Sequence, residues 1–530
     1  MIKEITLRVS PREAGERKLL EKELAKVAGV AEQDINAWRI VKRSIDARKR
    51  IVMVNLTVRI ALGEDKTVEQ LFQPVDFQPV ADDATTVVIV GAGPAGLFAA
   101  LKALRLGIRP IVIERGRDVD SRRLDIAAIS RERRINPVSN YCYGEGGAGA
   151  FSDGKLYTRS KKRGSVDEVL RLFVQHGASP DILIDAHPHI GSDRLPGVIR
   201  EMRSTIQRCG GEIHFETRMT GLIAECGRVR GVKTDKGEIR GAAVVLAIGH
   251  SARDTYYALH NDGLKMECKG IAVGVRLEHP QKLIDTLQYH SREGRGKYLP
   301  AAEYSYVTQA EGRGVYSFCM CPGGVIVPAG SAEGELVVNG MSASGRSGQR
   351  ANSGMVVEIR PGDFSEYEKF GELELLRFQE DLEHRFYEAS GGINAPAQRM
   401  KDFTDGKISA DLPATSYAPG IHPADFNALF PPFISRRLRS GFLDFGRKCP
   451  GFLTNDAILV GLESRTSSPV RIPRDKERME HIELAGLYPA GEGAGYAGGI
   501  VSAAIDGMRC VEAFAASGGI IENNEKNSKV

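Results

Sequence analysis

The sequence has little of what marks several large classes of protein. Its 530 residues include 8 Cys, without zinc-type or repeated CxxC spacing, so we expect reduced thiols, no disulfide framework and no bound metal. No run of about 18 apolar residues occurs, which argues against a membrane-spanning helix. The N-terminal segment alternates charged and apolar residues and has no apolar signal core. We therefore expect a cytoplasmic protein, and the net charge of +4 gives no reason to expect a membrane or nucleic-acid partner.

The composition that remains is ordinary for a globular protein, with 42% hydrophobic and 26% charged residues. The chain is too long for one ordinary core, so we expect several domains. We predict a mixed α/β protein that begins with a small domain over 1–80. A Rossmann-like, discontinuous dinucleotide-binding domain follows over 85–270 and 434–518. It is interrupted by an inserted β-rich α+β substrate domain over 271–433, in which we predict strands over Ile271–Leu277, Tyr304–Thr308 and Gly334–Val338 and a helix near Leu373–Phe386. A disordered tail occupies 519–530.

The N-terminal domain is expected to have βαββ, ferredoxin-like order. The apolar spacing predicts a strand over Ile2–Val9, a helix over Arg12–Val27, and strands over Ala37–Ala47 and Arg50–Ala61. Five basic residues gather near the hairpin of the last two strands: Lys42, Arg43, Arg48, Lys49 and Arg50. They indicate either an anionic partner such as RNA or, as we expect, a solvated edge strand. Lys and Arg protect sheet edges, and no aromatic platform accompanies these charges.

Residues 86–114 carry a dinucleotide-binding motif. A run of β-formers leads into GAGPAG at 91–96, then an apolar helix and a second strand that ends in Glu114. Gly91 permits a tight turn, Gly93 lets the backbone approach a pyrophosphate, and Gly96 lets the helix pack closely on the strand. The helix N-terminus attracts phosphates, and Glu114 suits the adenosine ribose hydroxyls. The complete order disfavours a glycine-rich turn of another fold and predicts FAD or NAD rather than NADP.

Three further segments bear on the choice between FAD and NAD. Small residues dominate 143–156, the strand Val244–Ile248 ends at Gly249, and Leu487–Ala490 leads into a glycine-rich turn at 491–499. With these segments, the chain resembles the glutathione-reductase-type flavoproteins of the second class. Within that class it is most similar to a poorly characterised bacterial family of FAD-dependent dehydrogenases. The resemblance covers about residues 85–515 and implies noncovalent FAD.

The resemblance implies which residues contact FAD, and it places loop 143–156 beside the flavin, although a flexible surface loop is the competing interpretation. Two positions depart from the class pattern, because Glu492 stands where the class has the shorter Asp and Ile248 stands where it has Thr. The implied contact residues are Gly91, Gly93, Pro94, Ala95, Gly96, Glu114, Arg115, Gly146, Gly147, Ala148, Gly149, Ser152, Gly154, Lys155, Ala247, Gly249, Gly491, Glu492, Gly498, Gly499 and Ile500.

Four residues are candidates for the chemistry. Cys319 and Cys321 are predicted to share one face of a strand. They form either a redox-active or substrate-facing pair at the flavin or two buried thiols on a strand that ends at a Pro-Gly turn. His250 either donates a proton or has a structural role. Arg465, in the polar segment 463–471, either binds an anionic group of the substrate or belongs to surface structure.

We expect an FAD-dependent oxidoreductase that transfers hydride at flavin N5 to or from a small-molecule substrate. No second GxGxxG unit occurs, so NADH or NADPH would bind only transiently, and a protein electron donor is an alternative. Three other functions stay open. They are a geranylgeranyl-type prenyl-chain reductase with an apolar tunnel, a flavin-containing tRNA-binding or modification protein, and an electron carrier without small-molecule turnover.

Overall fold

The computed structural model describes residues 1–158 and 164–519. The tail predicted over 519–530 therefore lies outside the described residues from 520 onward. Within the described ranges, no helix combines the length and the apolar character needed to cross a membrane. The same residues contain no group of His, Cys, Asp and Glu side chains arranged to hold a metal ion.

The N-terminal residues form a three-stranded antiparallel sheet with helices packed on it. The chain order is β1 (Ile2–Val9), α1 (Pro11–Gly15), α2 (Arg17–Ala28), β2 (Ile35–Asp46) and β3 (Met53–Leu62). β3 is the central strand, and β1 and β2 are the edges. The predicted single helix is two helices, because Glu16 takes an extended backbone between them. Ser10 and Glu13 cap the first helix reciprocally, each side chain accepting from the other's backbone N–H.

The next part of the chain builds most of a parallel sheet and its covering layers. Its elements are β4 (Thr86–Val90), α3 (Pro94–Arg105), β5 (Arg109–Ile113), α4 (Val119–Glu132), α5 (Val166–Gln175), α6 (Leu195–Arg208), β6 (Glu212–His214), β7 (Met219–Glu225), β8 (Arg228–Thr234), β9 (Gly237–Arg240), β10 (Ala243–Leu246) and α7 (Arg253–Asn261).

A second, larger sheet follows. Its region contains β11 (Glu267–Cys268), β12 (Ile271–Pro280), α8 (Gln281–Tyr289), β13 (Val307–Ala310), β14 (Arg313–Cys321), β15 (Val325–Pro328), β16 (Val338–Met341), β17 (Arg350–Ile359), α9 (Glu374–Ser390), β18 (Ala395–Arg399), α10 (Met400–Asp405), β19 (Ile421–Pro423), α11 (Phe426–Leu429), α12 (Pro432–Lys448) and β20 (Ile458–Glu463). The chain then ends its described part with β21 (Val470–Arg471), β22 (Leu487–Pro489) and α13 (Ile500–Phe514).

The parallel sheet has the strand order β22-β10-β4-β5-β6. The strands β4, β10 and β22 are continuous apolar runs because both faces of the sheet are covered there, whereas the edge strand β6 is polar and partly exposed. Helices α3, α6 and α13 contribute to the core on one face, and the β7–β9 meander with α7 contributes to the core on the other. β22 follows the larger sheet in the chain and pairs with β10, so the parallel sheet is assembled from two distant parts of the chain.

The larger sheet has the order β13-β14-β17-β12-β20-β18-β19, and all its pairs except β18–β19 are antiparallel. We call it the insert sheet. Helices α9 and α12 pack against it through an aromatic-rich core. Both α12 and β20 belong to this layer, whereas the sequence analysis assigned them to the second part of the dinucleotide-binding domain. The short pair β11–β21 joins the chain where it enters and leaves this region.

One predicted strand is wrong and another begins late. Over 334–338 only Val338 is in a strand, because the residues before it form a turn closed by the Glu335 carboxylate. That carboxylate accepts from the backbone N–H groups of Ser331 and Ala332, and such side-chain bonds compete with strand pairing. The strand predicted over Tyr304–Thr308 starts only at Val307.

Candidate cofactor and active site

A cavity of about 370 Å³ lies where the carboxyl ends of β4, β5 and β10 face the insert sheet. Distant segments of the chain line it, including 90–95, 147–149, 247–252, 318–319 and 498–500. The carboxyl edge of a parallel sheet is where open α/β folds bind ligands, because strand-following loops and helix N-termini converge there. The cavity is therefore the first candidate for the functional site.

Two helices begin at this cavity. Gly93 is the N-cap of α3, Gly499 is the N-cap of α13, and both line the cavity. Free backbone N–H groups and the helix dipole favour an anionic group at such termini. The close approach of α3 to β4 requires glycine at 96, since a Cβ there would lie 1.8 Å from the Gly91 carbonyl oxygen.

Glu114 connects three parts of the site. Its Oε2 accepts from the Ala92 backbone N–H at 2.9 Å, and its Oε1 accepts from those of Gly116 at 2.9 Å and Gly144 at 3.0 Å. Glu114, which the motif assigns to the adenosine ribose, thus also holds the turn of the GAGPAG motif and the start of the loop 143–156 in place. Arg115 lies beside it, with its guanidinium 4.5 Å from the centroid of the Tyr143 ring.

The loop 143–156 is anchored inside the protein. Arg122 is fully buried, and its guanidinium donates to five backbone carbonyls at 2.8 to 3.2 Å: those of Asn140, Tyr141, Gly144, Glu145 and Gly147. This arrangement contradicts the interpretation as a flexible surface loop. The sequence analysis missed Arg122, because nothing in the sequence of α4 distinguishes it from neighbouring surface arginines.

The turn that precedes α13 is held by a buried ion pair between Arg474 and Asp506. Asp506 accepts from the Gly491 backbone N–H at 2.7 Å and from both terminal nitrogens of Arg474 at 2.6 and 2.9 Å. The sequence analysis missed both residues. The one available signal was Asp506 itself, an acid that interrupts the apolar run at the start of α13.

Glu492 lines the cavity in the same turn, one residue after Gly491. Burial raises the pKa of its carboxyl to about 7, and the Lys269 ammonium opposes that rise. Glu492 therefore exists in both protonation states near neutral pH. It can donate a hydrogen bond in its acid form and accept one in its carboxylate form.

Most of the implied FAD contacts line this one cavity: Gly91, Gly93, Pro94, Ala95, Glu114, Arg115, Gly147, Ala148, Gly149, Ser152, Gly154, Lys155, Ala247, Gly249, Glu492, Gly498, Gly499 and Ile500. Gly96, Gly146 and Gly491 lie behind the wall. Gly96 packs on Gly91, a Cβ at Gly146 would strike Ile199, and Gly491 bonds to Asp506.

His250 lines the cavity, and its Nδ1 lies 2.7 Å from the Ser251 hydroxyl. Burial lowers the pKa of His250 to about 4, and the positive charges of Arg465 and Arg253 act in the same direction. The imidazole is therefore neutral at neutral pH. It is a hydrogen-bonding group there rather than a cationic acid.

Arg465 lies at the cavity wall but its guanidinium is already occupied. It bonds at 2.7 Å to the carboxylates of Glu335 and Glu383 and to the Ser331 hydroxyl. Arg253 pairs with the same two carboxylates at 2.9 and 2.8 Å. Arg465 is therefore buried and not part of the surface, and its proposed role in binding an anionic group of the substrate stays a prediction.

Cys319 and Cys321 do not share a strand face. The register between β14 and β17 shifts between Phe318 and Cys321, and Cys319 has a left-handed φ of 45°. Cys319 is half-buried and lines the cavity, whereas Cys321 is fully buried next to Arg276. The prediction of a common face is wrong because it assumed regular alternation.

The basic group at the N-terminal hairpin is partly neutralised. Arg43 pairs with Asp185 at 2.6 Å, which connects β2 to the dinucleotide-binding part of the chain, and Arg48 pairs with Asp46 at 2.8 Å. β2 is an edge strand of its sheet. At Arg43 this edge is not open to solvent, because the Arg43 backbone bonds to Ile184 and Ala186.

Comparisons with known proteins agree with this geometry. Residues 84–124 match a family model described as an FAD binding domain, of the p-hydroxybenzoate hydroxylase type. Residues 270–466 match one described as the C-terminal domain-like part of an FAD-dependent protein. Residues 1–61 match a domain of unknown function. Together, these matches and the site define an FAD-dependent oxidoreductase with FAD as its cofactor.

An uncharacterized protein of Clostridium beijerinckii is 40% identical to the chain over 511 residues, which are 93% of this chain and 95% of the relative. The chain belongs to the family of that protein.

Among solved structures, a geranylgeranyl bacteriochlorophyll reductase-like protein from Thermoplasma acidophilum is 13% identical, with 84% of this chain and 82% of that chain covered and a TM-score of 0.35. An oxidoreductase from Methanosarcina mazei is 12% identical, with 81% and 100% covered and a TM-score of 0.32. At these scores neither structure bears on the function of this chain.

Proposed function

We propose that the chain binds one FAD along this cavity and transfers hydride equivalents between the flavin and a small-molecule substrate. One observation carries the proposal. The GAGPAG turn, the small-residue loop, the end of β10 and the turn before α13 all converge on one cavity, and the insert sheet supplies its opposite wall.

The residues present fit FAD. The two helix N-termini at Gly93 and Gly499 suit the pyrophosphate and the flavin end respectively. Glu114 stands at the end of β5, where an acid meets the adenosine ribose. Gly147 packs directly on Gly93, since a Cβ on Gly147 would lie 3.1 Å from the Gly93 Cα. The two glycines therefore form a stretch of cavity wall without side chains, against which a ligand can lie closely.

When bound, FAD supplies the two-electron chemistry, and the protein binds, orients and tunes it. The chain's own contribution on the insert side is a wall of Phe318, Cys319, Asn339, Arg465 and Thr466. This wall is mixed, since Asn339 and Thr466 are polar, Phe318 and Cys319 are apolar, and the Arg465 guanidinium is paired with Glu335 and Glu383. Because the cavity is short for a long apolar chain, we place the prenyl-reductase function second.

We also infer the glutathione-reductase-type architecture of the second class, in which an insertion divides the FAD domain. Its support is the contribution of β22 and α13 to the parallel sheet and its helical layer from beyond the insert. We place the boundaries of that insert near 270 and 466, because β20 pairs with β12 and β18. The N-terminal residues 1–80 are proposed to be a separate small domain, and RNA binding has no further support in its structure.

The experiment is anaerobic mixing of the purified holoenzyme with NADH and, separately, with NADPH, followed through the visible flavin absorbance. Rapid bleaching by either nicotinamide identifies a reductase and directs the search to electron acceptors. Absence of bleaching by both directs it to amines, hydroxy acids and protein electron donors as the source of electrons. A protein whose flavin is reduced and reoxidised by none of these small molecules would contradict the proposed substrate chemistry and favour an electron carrier.

A further inference from the structure

We propose that the N-terminal sheet holds one wall of the FAD cavity in position and that Arg43 is the positioning residue. This inference rests on the proposed FAD site and gives a role to residues 1–80. The wall is formed by 153–157, of which Asp153, Gly154, Lys155 and Tyr157 line the cavity. The N-terminal sheet reaches it through residues 184–193, which we call the tie segment.

The tie segment extends the N-terminal sheet at its edge strand β2. The Arg43 backbone N–H donates to the Ile184 carbonyl at 2.8 Å, and the Arg43 carbonyl accepts from the Ala186 N–H at 3.0 Å. The Arg43 guanidinium donates to both carboxylate oxygens of Asp185, at 2.6 and 3.0 Å. Backbone pairing at a sheet edge gives affinity, and a bidentate ion pair adds a fixed geometry. Arg43 thus joins the two segments through its backbone and its side chain.

The same tie segment pairs with the cavity wall. Three backbone hydrogen bonds of 2.9 to 3.1 Å run between the two, from Leu156 to Pro188, from Ile190 to Gly154 and from Gly191 to Asp153. The His187 ring also lies 5.1 Å from the Tyr157 ring, measured between centroids. Only His187 separates the residues that pair with β2 from those that pair with the wall. A displacement at Arg43 is therefore transmitted to the wall over a very short length of chain.

The end of the tie segment bonds to the insert. The Ser192 N–H donates to the Ser342 carbonyl at 3.0 Å, and the Asp193 carboxylate accepts from the backbone N–H and the hydroxyl of Ser344 at 2.6 and 2.8 Å. The N-terminal residues also contact the insert directly, since His290 Nε2 lies 3.0 Å from the Ala47 carbonyl oxygen. The tie segment is thus the place where the N-terminal sheet, the cavity wall and the insert are fixed relative to one another.

Charge reversal at the Arg43–Asp185 pair tests this role. Arg43→Glu places a third carboxylate beside those of Asp185 and Asp181, and Asp185→Arg places a second guanidinium beside Arg43. Each single variant replaces attraction by repulsion, whereas Arg43→Glu combined with Asp185→Arg restores an ion pair. Arg48→Glu is the matched control, because it makes the same change of charge at an exposed residue whose partner, Asp46, belongs to the N-terminal sheet itself.

The measurements are hydrogen–deuterium exchange of peptides covering 153–157 and 184–193 in the full-length holoenzyme, and FAD affinity from flavin fluorescence. We expect both single variants to exchange these amides roughly tenfold faster, because the wall opens more often. We expect them to bind FAD roughly tenfold more weakly, because binding must order the wall again. The double variant and Arg48→Glu should match the wild type. Trp38, the one tryptophan of the chain, lies on β2, and its emission reports whether the N-terminal sheet stays folded.

Unchanged exchange in both single variants would overturn the proposal, and so would faster exchange together with wild-type FAD affinity. A double variant that behaves no better than the single variants would overturn the role of the Arg43–Asp185 pair. If the Trp38 emission shows that Arg43→Glu unfolds the N-terminal sheet, Asp185→Arg decides, since it leaves residues 1–80 unaltered. A folded wild type that binds no FAD would instead contradict the proposed FAD site.

Discussion

A methyl group added at Gly93 tests the FAD site without disturbing the protein around it. Gly93 has φ −77° and ψ −174°, which any residue adopts, and a Cβ there would find only the Gly147 Cα, at an ordinary 3.7 Å. The protein itself therefore tolerates alanine. The added methyl would stand on the cavity wall at the N-terminus of α3, where the proposed pyrophosphate lies.

We expect Gly93→Ala to weaken FAD binding by roughly 10- to 100-fold. This range follows from a steric cost of about 1–3 kcal/mol for one extra methyl in a closely packed site, at about 1.4 kcal/mol per factor of ten. The apo-protein should lose no more than about 1 kcal/mol of unfolding free energy, the cost of alanine at an N-cap. FAD affinity is measured by the quenching of flavin fluorescence, and stability by denaturant unfolding of the apo-protein.

Gly197→Ala is the matched control. Gly197 lies in α6, away from the cavity, and a Cβ there would meet nothing within 4 Å. This variant should bind FAD as the wild type does. If Gly93→Ala also binds FAD with wild-type affinity while both variants fold, the placement of the pyrophosphate at the N-terminus of α3 is refuted.

Two further predictions concern buried charges. Burial raises the pKa of the fully buried Glu145 to about 7, so the stability it contributes is present at low pH and is lost as pH rises through about 7. We compare the unfolding free energies of the wild type and Glu145→Gln by denaturant unfolding at several pH values. Between about pH 4.5 and about pH 8, the wild type should lose on the order of 3 kcal/mol relative to the variant. A difference between the two proteins that does not change with pH would contradict this prediction. Glu383→Gln should lower the unfolding free energy by roughly 3 kcal/mol, because Arg465 and Arg253 lose the buried carboxylate that they share. A loss below about 1 kcal/mol would contradict this and would show that Glu335 alone compensates the charge of both arginines.

Local patterns predicted much of the fold. Continuous apolar runs and a glycine turn act over a few residues, and they were enough to predict three elements. These are the strands at Thr86–Val90 and Arg109–Ile113 and the helix between them. The βαββ order at the N-terminus follows in the same way. The strand predicted over 334–338 was wrong because the Glu335 side chain closes a turn, and a single side-chain bond of this kind leaves no periodic signal.

The sequence predicted many of the residues that line the cavity, but not the residues that hold the lining segments in place. Glycine segments indicate a close backbone approach wherever they occur, so most of the residues lining the cavity could be named from the sequence. The residues that hold those segments in place could not be named. Arg122, Arg474 and Glu383 act through partners that are distant in the chain, and a buried ion pair looks like a surface charge until both partners are placed. The bulge at Cys319 was missed because strand periodicity assumes regular alternation.

The most direct measurement is an FAD titration of the full-length apo-protein, combined with the visible spectrum of the protein as purified. The account predicts saturable binding of one FAD per chain, a flavin spectrum that survives gel filtration, and loss of that retention in Gly93→Ala but not in Gly197→Ala. A folded protein that takes up no FAD, or that holds flavin equally well in both variants, would contradict it.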